Sequence, residues 1–164
     1  MRKPAMYGAG ALMIASLFFI TAFKPLPKTI AKKFATSSAN GGGTAVEGGS
    51  KSTFSFNAVR REDGTTNGHL MYNLRADGIT IHVDIDCLNI SAPNTATLGG
   101  AITSVTGYTG PAIYVGQRIA FTVIDNGNGG SNDRFSDVFL DVTDACATTY
   151  NAYIPIQGNI TVRP

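Results

Sequence analysis

Acidic side chains are absent ahead of Glu47, although six of the thirteen Lys and Arg lie there. From Glu47 onward seven basic residues face eleven acidic ones, a net charge of −4. That balance argues against a nucleic-acid binder, which needs a basic footprint to neutralise phosphates, and no basic stripe with interleaved aromatics is present. Helical periodicity is missing too: no stretch of about ten residues spaces its apolar positions as an amphipathic helix. Cysteine is scarce, with only Cys87 and Cys146 and no CxxC pair, which excludes a cysteine-based zinc site without histidine partners. There is no Gly-x-Ser-x-Gly elbow, so nucleophilic catalysis of that kind has no support. A length of 164 residues fits one domain with a real core and is short for two.

The basic N-terminal part reads as targeting. Arg2 and Lys3 precede an uncharged run from Pro4 to Phe23, closed by Lys24 and Pro25. Charged, then apolar, then small residues is the order of a secretory signal, with Ala22 as the last residue before a cut. A run of about 20 apolar residues also spans a bilayer, so residues 1–23 are a signal peptide or a membrane anchor, the chain's only expected membrane contact. In both readings the remainder is exported: secreted, periplasmic or at the cell surface. In an oxidising compartment Cys87 and Cys146 are expected to pair, with two buried unpaired thiols as the alternative. Closing so long a loop contributes up to about 4 kcal/mol in the chain-entropy model. Residues 24–50, rich in Gly, Ser and Lys and lacking period, read as a flexible linker, which places the folded domain at 51–164.

Within that domain, alternation of period two recurs. "STFSFNAV", "HLMYNLRA", "ITIHVDIDC", "TATLGGAITSV", "QRIAFTVID", "FSDVFLDV" and "GNITVR" are seven candidate strands. Turn signals separate them at Asp63-Gly64, Asn67-Gly68, Asp77-Gly78, Pro93-Asn94 and the long "DNGNGGSND". The pattern predicts an all-β fold, an antiparallel β-sandwich or small barrel of about seven strands. Taking Asp77-Gly78 as a two-residue hairpin loop pairs Leu74 with Ile81, Tyr72 with Val83, Leu70 with Ile85 and His69 with Asp86. Every core-type residue then faces another, with Cys87 in phase with the isoleucines.

The opposite face of that hairpin collects both histidines of the chain, His69 and His82, beside Asp84 and Asp86. Imidazole with carboxylate suits zinc, manganese or iron, and a solvated strand face gives the same alternation. A metal ion there is the one cofactor the sequence suggests. Asp125, Asn128 and Asp133 in the glycine-rich turn could present oxygens to calcium, although the spacing fits neither the EF-hand nor the repeat loop, and a long hairpin connection is the plainer reading. Tyr108, Tyr114, Tyr150 and Tyr153 fall in irregular stretches. There they form either platforms for a glycan or protein partner or plugs for the ends of the fold. Asn89 and Asn159 head glycosylation sequons, which matter only in a eukaryotic secretory path, and the short charged lead fits a bacterial chain.

The glycine-rich lead "GGGTAVEGGSK", the strands "TFSFNAV", "GHLMY" and "ATLGGAIT", and the turn in "FTVIDNG" resemble a short secreted all-β domain carried on many unrelated exported bacterial chains. The resemblance covers roughly residues 41–140 and rests on turn and core positions. It implies an exported all-β module, and it brings no catalytic or binding residues with it. Together these readings favour a non-enzymatic surface or extracellular binding or structural module. The alternative is a metal-binding protein or metalloenzyme built on the His/Asp cluster.

Overall fold

The computed structural model describes residues 35–127 and 132–164. The expected signal or anchor, 1–23, and the first part of the expected linker lie outside the described residues. All regular structure among them is β: β1 (Ala35–Glu47), β2 (Ser50–Arg61), β3 (Thr66–Leu74), β4 (Ile79–Ala92), β5 (Thr95–Thr106), β6 (Arg118–Ile124), β7 (Arg134–Phe135), β8 (Phe139–Leu140) and β9 (Ile154–Arg163). The strands pair antiparallel in the order β5-β4-β3-β2-β1-β9-β7-β6, and β6 returns to β5. The sheet is therefore a closed eight-stranded barrel rather than a sandwich, with β8 as one extra short strand beside β6.

The eighth wall strand is β1, which corrects the linker reading. Residues 35–47 lie between β2 and β9, and the domain begins well ahead of Lys51. Its inward positions are small: Ala39 and Ala45 are buried, and between them come Gly41 and Gly43. A Cβ on Gly41 would sit 2.6 Å from the Asn159 carbonyl oxygen, and one on Gly43 would sit 2.7 Å from that of Gln157. The glycines thus allow β1 and β9 to approach closely, and the register sets Phe56 opposite Gly41 and Phe54 opposite Gly43. Large rings on one strand fill the space that the neighbouring strand leaves empty. Gly48 (φ 55°) and Gly49 (φ 87°) make the two-residue loop into β2, with the two positive φ angles that a type I′ turn requires.

The interior is packed with side chains, as expected for a barrel of this strand number. Phe135, fully buried, lies 4.4 Å from Phe54, 5.7 Å from Phe121 and 5.9 Å from Tyr72, measured between ring centroids. Around this cluster pack Leu70, Val83, Leu98, Ile102 and Ile160. Full burial of each such side chain contributes about 1.5–3 kcal/mol.

Three local expectations are corrected. The β3–β4 hairpin is shifted by two residues: Leu74 faces Ile79, Tyr72 faces Ile81, and His69 faces Asp84 instead of Asp86. A type I′ two-residue loop needs positive φ at both positions, but only Gly78 (φ 67°) adopts it, and the chain uses a four-residue loop with the Asp77 N–H donating to the Leu74 carbonyl at 3.2 Å. An even shift keeps every face, and the isoleucines still point inward. Asn67-Gly68 is not a turn but part of β3. Lastly, a bulge between Ile85 and Cys87 changes the phase of β4, so Leu88 takes the buried position and Cys87 turns out of the core.

Candidate functional site

The bulge determines where the disulfide goes. Cys87 is bonded to Cys146 (S–S 2.13 Å, Cα–Cα 6.1 Å), and no cysteine is free. The bond ties the segment between β8 and β9 across the outside of β4, β5 and β6 like a strap. The Asn89 amide donates to the Cys146 carbonyl at 3.1 Å, the Tyr150 N–H to Thr122 Oγ1 at 2.9 Å, and the Val142 N–H to the Arg118 carbonyl at 3.4 Å. Beneath the strap Thr97 and Thr122, both fully buried, share a hydrogen bond at 2.9 Å, and Ala145 fits against Gly99, where no side chain could stand. Outward-facing positions of β5 and β6 are buried here because a second layer covers them.

The tyrosines are distributed around this layer. Tyr150 stacks on Phe139 with centroids 4.3 Å apart, and Tyr108 packs against the core. Tyr114, 51% exposed, donates to Asp141 Oδ1 at 3.3 Å and so links the β5–β6 loop to the strap. With Val115 (63% exposed), Phe139 and Leu140 it leaves apolar surface in water beside Arg118 and Asp141. Tyr153 is exposed at the entry to β9. Of the four, Tyr108 is a plug, and Tyr114 and Tyr153 have the exposure of a platform.

The His/Asp face divides. His69, His82, Asp84 and Asp86 all lie exposed on the outside of the barrel. Asp86, the extra residue of the bulge, reaches over β5 to Arg118, whose guanidinium engages both carboxylate oxygens, one at 2.9 Å. That hydrogen bond raises the Arg118 pKa above its ordinary value. His69 stands opposite Asp84, and His82 opposite Met71. Among the described residues, no three of His, Cys, Asp and Glu are grouped where they could hold a metal ion. Asp86 belongs to an ion pair rather than to a cluster with the histidines.

Of the expected calcium loop, Asn128 lies outside the described residues, and Asp125 and Asp133 are engaged by main-chain N–H groups. Asp133 is fully buried, and its carboxylate accepts the Asn126 N–H at 2.9 Å and the Ile160 N–H at 2.7 Å. The Asp125 carboxylate accepts the Gly127 N–H at 2.9 Å and the Val162 N–H at 3.0 Å. Both carboxylates face the edge of β9, whose pairing with β7 stops after Pro155. They stand where strand carbonyls would otherwise accept these N–H groups, and these hydrogen bonds orient them.

One pair had no sequence signal. Tyr72 donates to Asp137 Oδ1 at 2.7 Å at one end of the barrel, beside a cavity of about 90 Å³ lined also by Lys51, Ser52, Leu74 and Ile154. Asp137 holds φ 71°, a left-handed conformation uncommon for a residue with a Cβ, at the kink between β7 and β8. Sixty-five residues separate the partners, and only the kink brings them together. The chain matches no protein-family model, no curated protein and no solved structure.

Proposed function

We propose that the chain is an exported, non-enzymatic β-barrel module that binds a glycan or protein partner outside the cytoplasm through the apolar surface beside its strap. The observation behind this reading is the row of Tyr114, Val115, Phe139 and Leu140, apolar side chains left in water beside a segment fixed by a disulfide. Exposed aromatic and aliphatic side chains next to a few charged groups are the composition of a recognition surface. A disulfide accords with an oxidising compartment, where the bond persists. Rigid support matters here, because ordering a loose segment at the moment of binding would cost affinity.

The test is a glycan array together with capture of cell-surface proteins, run on the native chain, on a Tyr114→Ala, Phe139→Ala variant and on a Cys87→Ser, Cys146→Ser variant. Binding is expected to fall in both variants, and the second is also expected to lose about 3 kcal/mol in urea unfolding. Undiminished binding by the aromatic variant would sink the proposal.

A further inference from the structure

On the outer face of the β3–β4 hairpin, two successive cross-strand pairs form a block of four: His69 opposite Asp84, and Met71 opposite His82. The His69 N–H donates to Asn57 Oδ1 on β2 at 3.1 Å, so the main chain of residue 69 points away from β4. Residues 69, 71 and 73 therefore make the narrow, non-hydrogen-bonded kind of pair with β4, in which side chains come closest. The next pair in the row shows this contact directly: Asn73 Nδ2 donates to Thr80 Oγ1 at 2.7 Å.

Two further facts distinguish the block. Neither imidazole makes a hydrogen bond or ion pair among the described residues. Met71 is 37% exposed, a large apolar side chain on the wet face of a strand whose other face supplies the core through Leu70 and Tyr72. Burial does not account for a thioether at that position, and the chain's only two histidines flank it.

We infer that His69, Met71 and His82 form a surface copper(I) site, with two imidazole nitrogens and one thioether sulfur as ligands. Cβ atoms of opposed residues lie about 5 Å apart, and those of diagonal or next-but-one residues about 7 Å. An ion above the centre of that triangle is within reach of all three side chains by rotation about their own torsions, with no movement of a strand. The ligand set selects the metal. A neutral thioether is a soft donor that favours copper(I), and imidazole suits copper equally well. Calcium, magnesium and manganese prefer oxygen ligands, and the block offers only Asp84. Asp84, directly opposite His69, is placed to accept the imidazole N–H that does not face the ion and to offset its charge. The site lies on the opposite side of β4 from the barrel core and needs neither the strap nor a partner.

The experiment uses the full chain with its disulfide intact, titrated without oxygen in ascorbate against a chromophoric copper(I) chelator. The native chain is expected to withdraw one equivalent of copper(I), and zinc(II) is expected to bind far more weakly. Asp84→Asn should weaken copper binding by about tenfold, and Met71→Leu by at least as much. The His69→Ala, His82→Ala variant should lose the site altogether. Circular dichroism and urea midpoints within the range of the native chain would show that these exposed changes leave the barrel folded. Failure of the native chain to withdraw copper would overturn the inference, as would unchanged binding by the Met71→Leu variant or by the double histidine variant.

Discussion

Two sections of the barrel wall are held by different means. From β5 through β4, β3, β2 and β1 to β9, each strand pairs with the next over seven or more positions, and the tie is the ordinary main-chain ladder. From β9 back to β6 the ladder nearly vanishes: β7 pairs with β9 over two positions and with β6 over two. Side chains and a few single hydrogen bonds do the rest. The Ile156 N–H reaches the Asp133 carbonyl at 3.3 Å, the Asp133 and Asp125 carboxylates take the N–H groups of Ile160 and Val162, and Phe135 fills the interior behind them. At the β7–β8 kink Ser136 Oγ accepts the Thr122 N–H at 2.8 Å, a place that a strand carbonyl would otherwise occupy. A ladder distributes its energy over many weak, replaceable bonds, whereas this seam concentrates it in a few named groups. Single substitutions should therefore have unequal effects on the two sections.

The largest expected effect is Asp133→Ala. The change removes acceptors for two N–H groups, one of them on the buried Ile160. Hydrogen bonds to a charged group contribute about 1.5–3 kcal/mol each, and an abandoned buried donor carries its own desolvation cost. A loss of about 4 kcal/mol in urea unfolding is expected, against about 2 kcal/mol for the half-buried Asp125→Ala. In hydrogen exchange the amides of Ile160 and Val162 should lose protection before those of β3 and β4. A loss below about 1 kcal/mol for Asp133→Ala would show that β1 alone holds β9 and that the seam is not concentrated as described.

The sequence reveals the first section far better than the second, for physical reasons. Strands β2 to β4 bury one face and expose the other, so Phe54, Phe56, Leu70, Tyr72, Ile81 and Val83 mark themselves by alternation. Strand β1 belongs to the same section but gives no hydrophobic signal, because Ala39, Gly41, Gly43 and Ala45 face inward against aromatic neighbours. Composition therefore suggests a linker where the packing requires a strand. Faces survive the two-residue error in the β3–β4 register, yet the error moves His69 from Asp86 to Asp84, enough to change the membership of the His/Asp group. The seam is illegible for another reason: an aspartate in a glycine-rich turn looks the same whether it awaits calcium or a strand N–H. Only the topology shows that β9 lacks a strand neighbour on its β7 side beyond Pro155.

A smaller effect tests the laddered section where it is most closely built. In Gly43→Ala the new Cβ would lie 2.7 Å from the Gln157 carbonyl oxygen and 3.0 Å from the Gly158 Cα. The nearest atoms are all main chain of β9, so no flexible side chain can yield, and overpacking of this kind costs about 2 kcal/mol. A flexible linker would tolerate the same change without loss. A urea midpoint equal to that of the native chain would therefore return residues 35–47 to the linker reading, and a clear fall would establish β1 as wall.

The smallest effect concerns a carboxylate that resembles those of the seam in chemistry and differs in setting. Asp86 also closes a gap, reaching from the β4 bulge to Arg118 on β6, but the two side chains are 54% and 37% exposed. Water screens the pair and already solvates each partner, so the ion pair contributes about 0.5 kcal/mol, less at high salt. The Arg118 pKa is raised by this bond, so on the alkaline side its stabilisation is lost only as pH rises through the ordinary arginine range and past the raised value. Asp86→Ala should accordingly shift the urea midpoint slightly in low salt and not measurably in molar salt, while Asp133→Ala keeps its full effect in both. Equal salt sensitivity in the two variants would show that Asp133 is reached by solvent. The seam would then be held by screened surface charges rather than by buried hydrogen bonds.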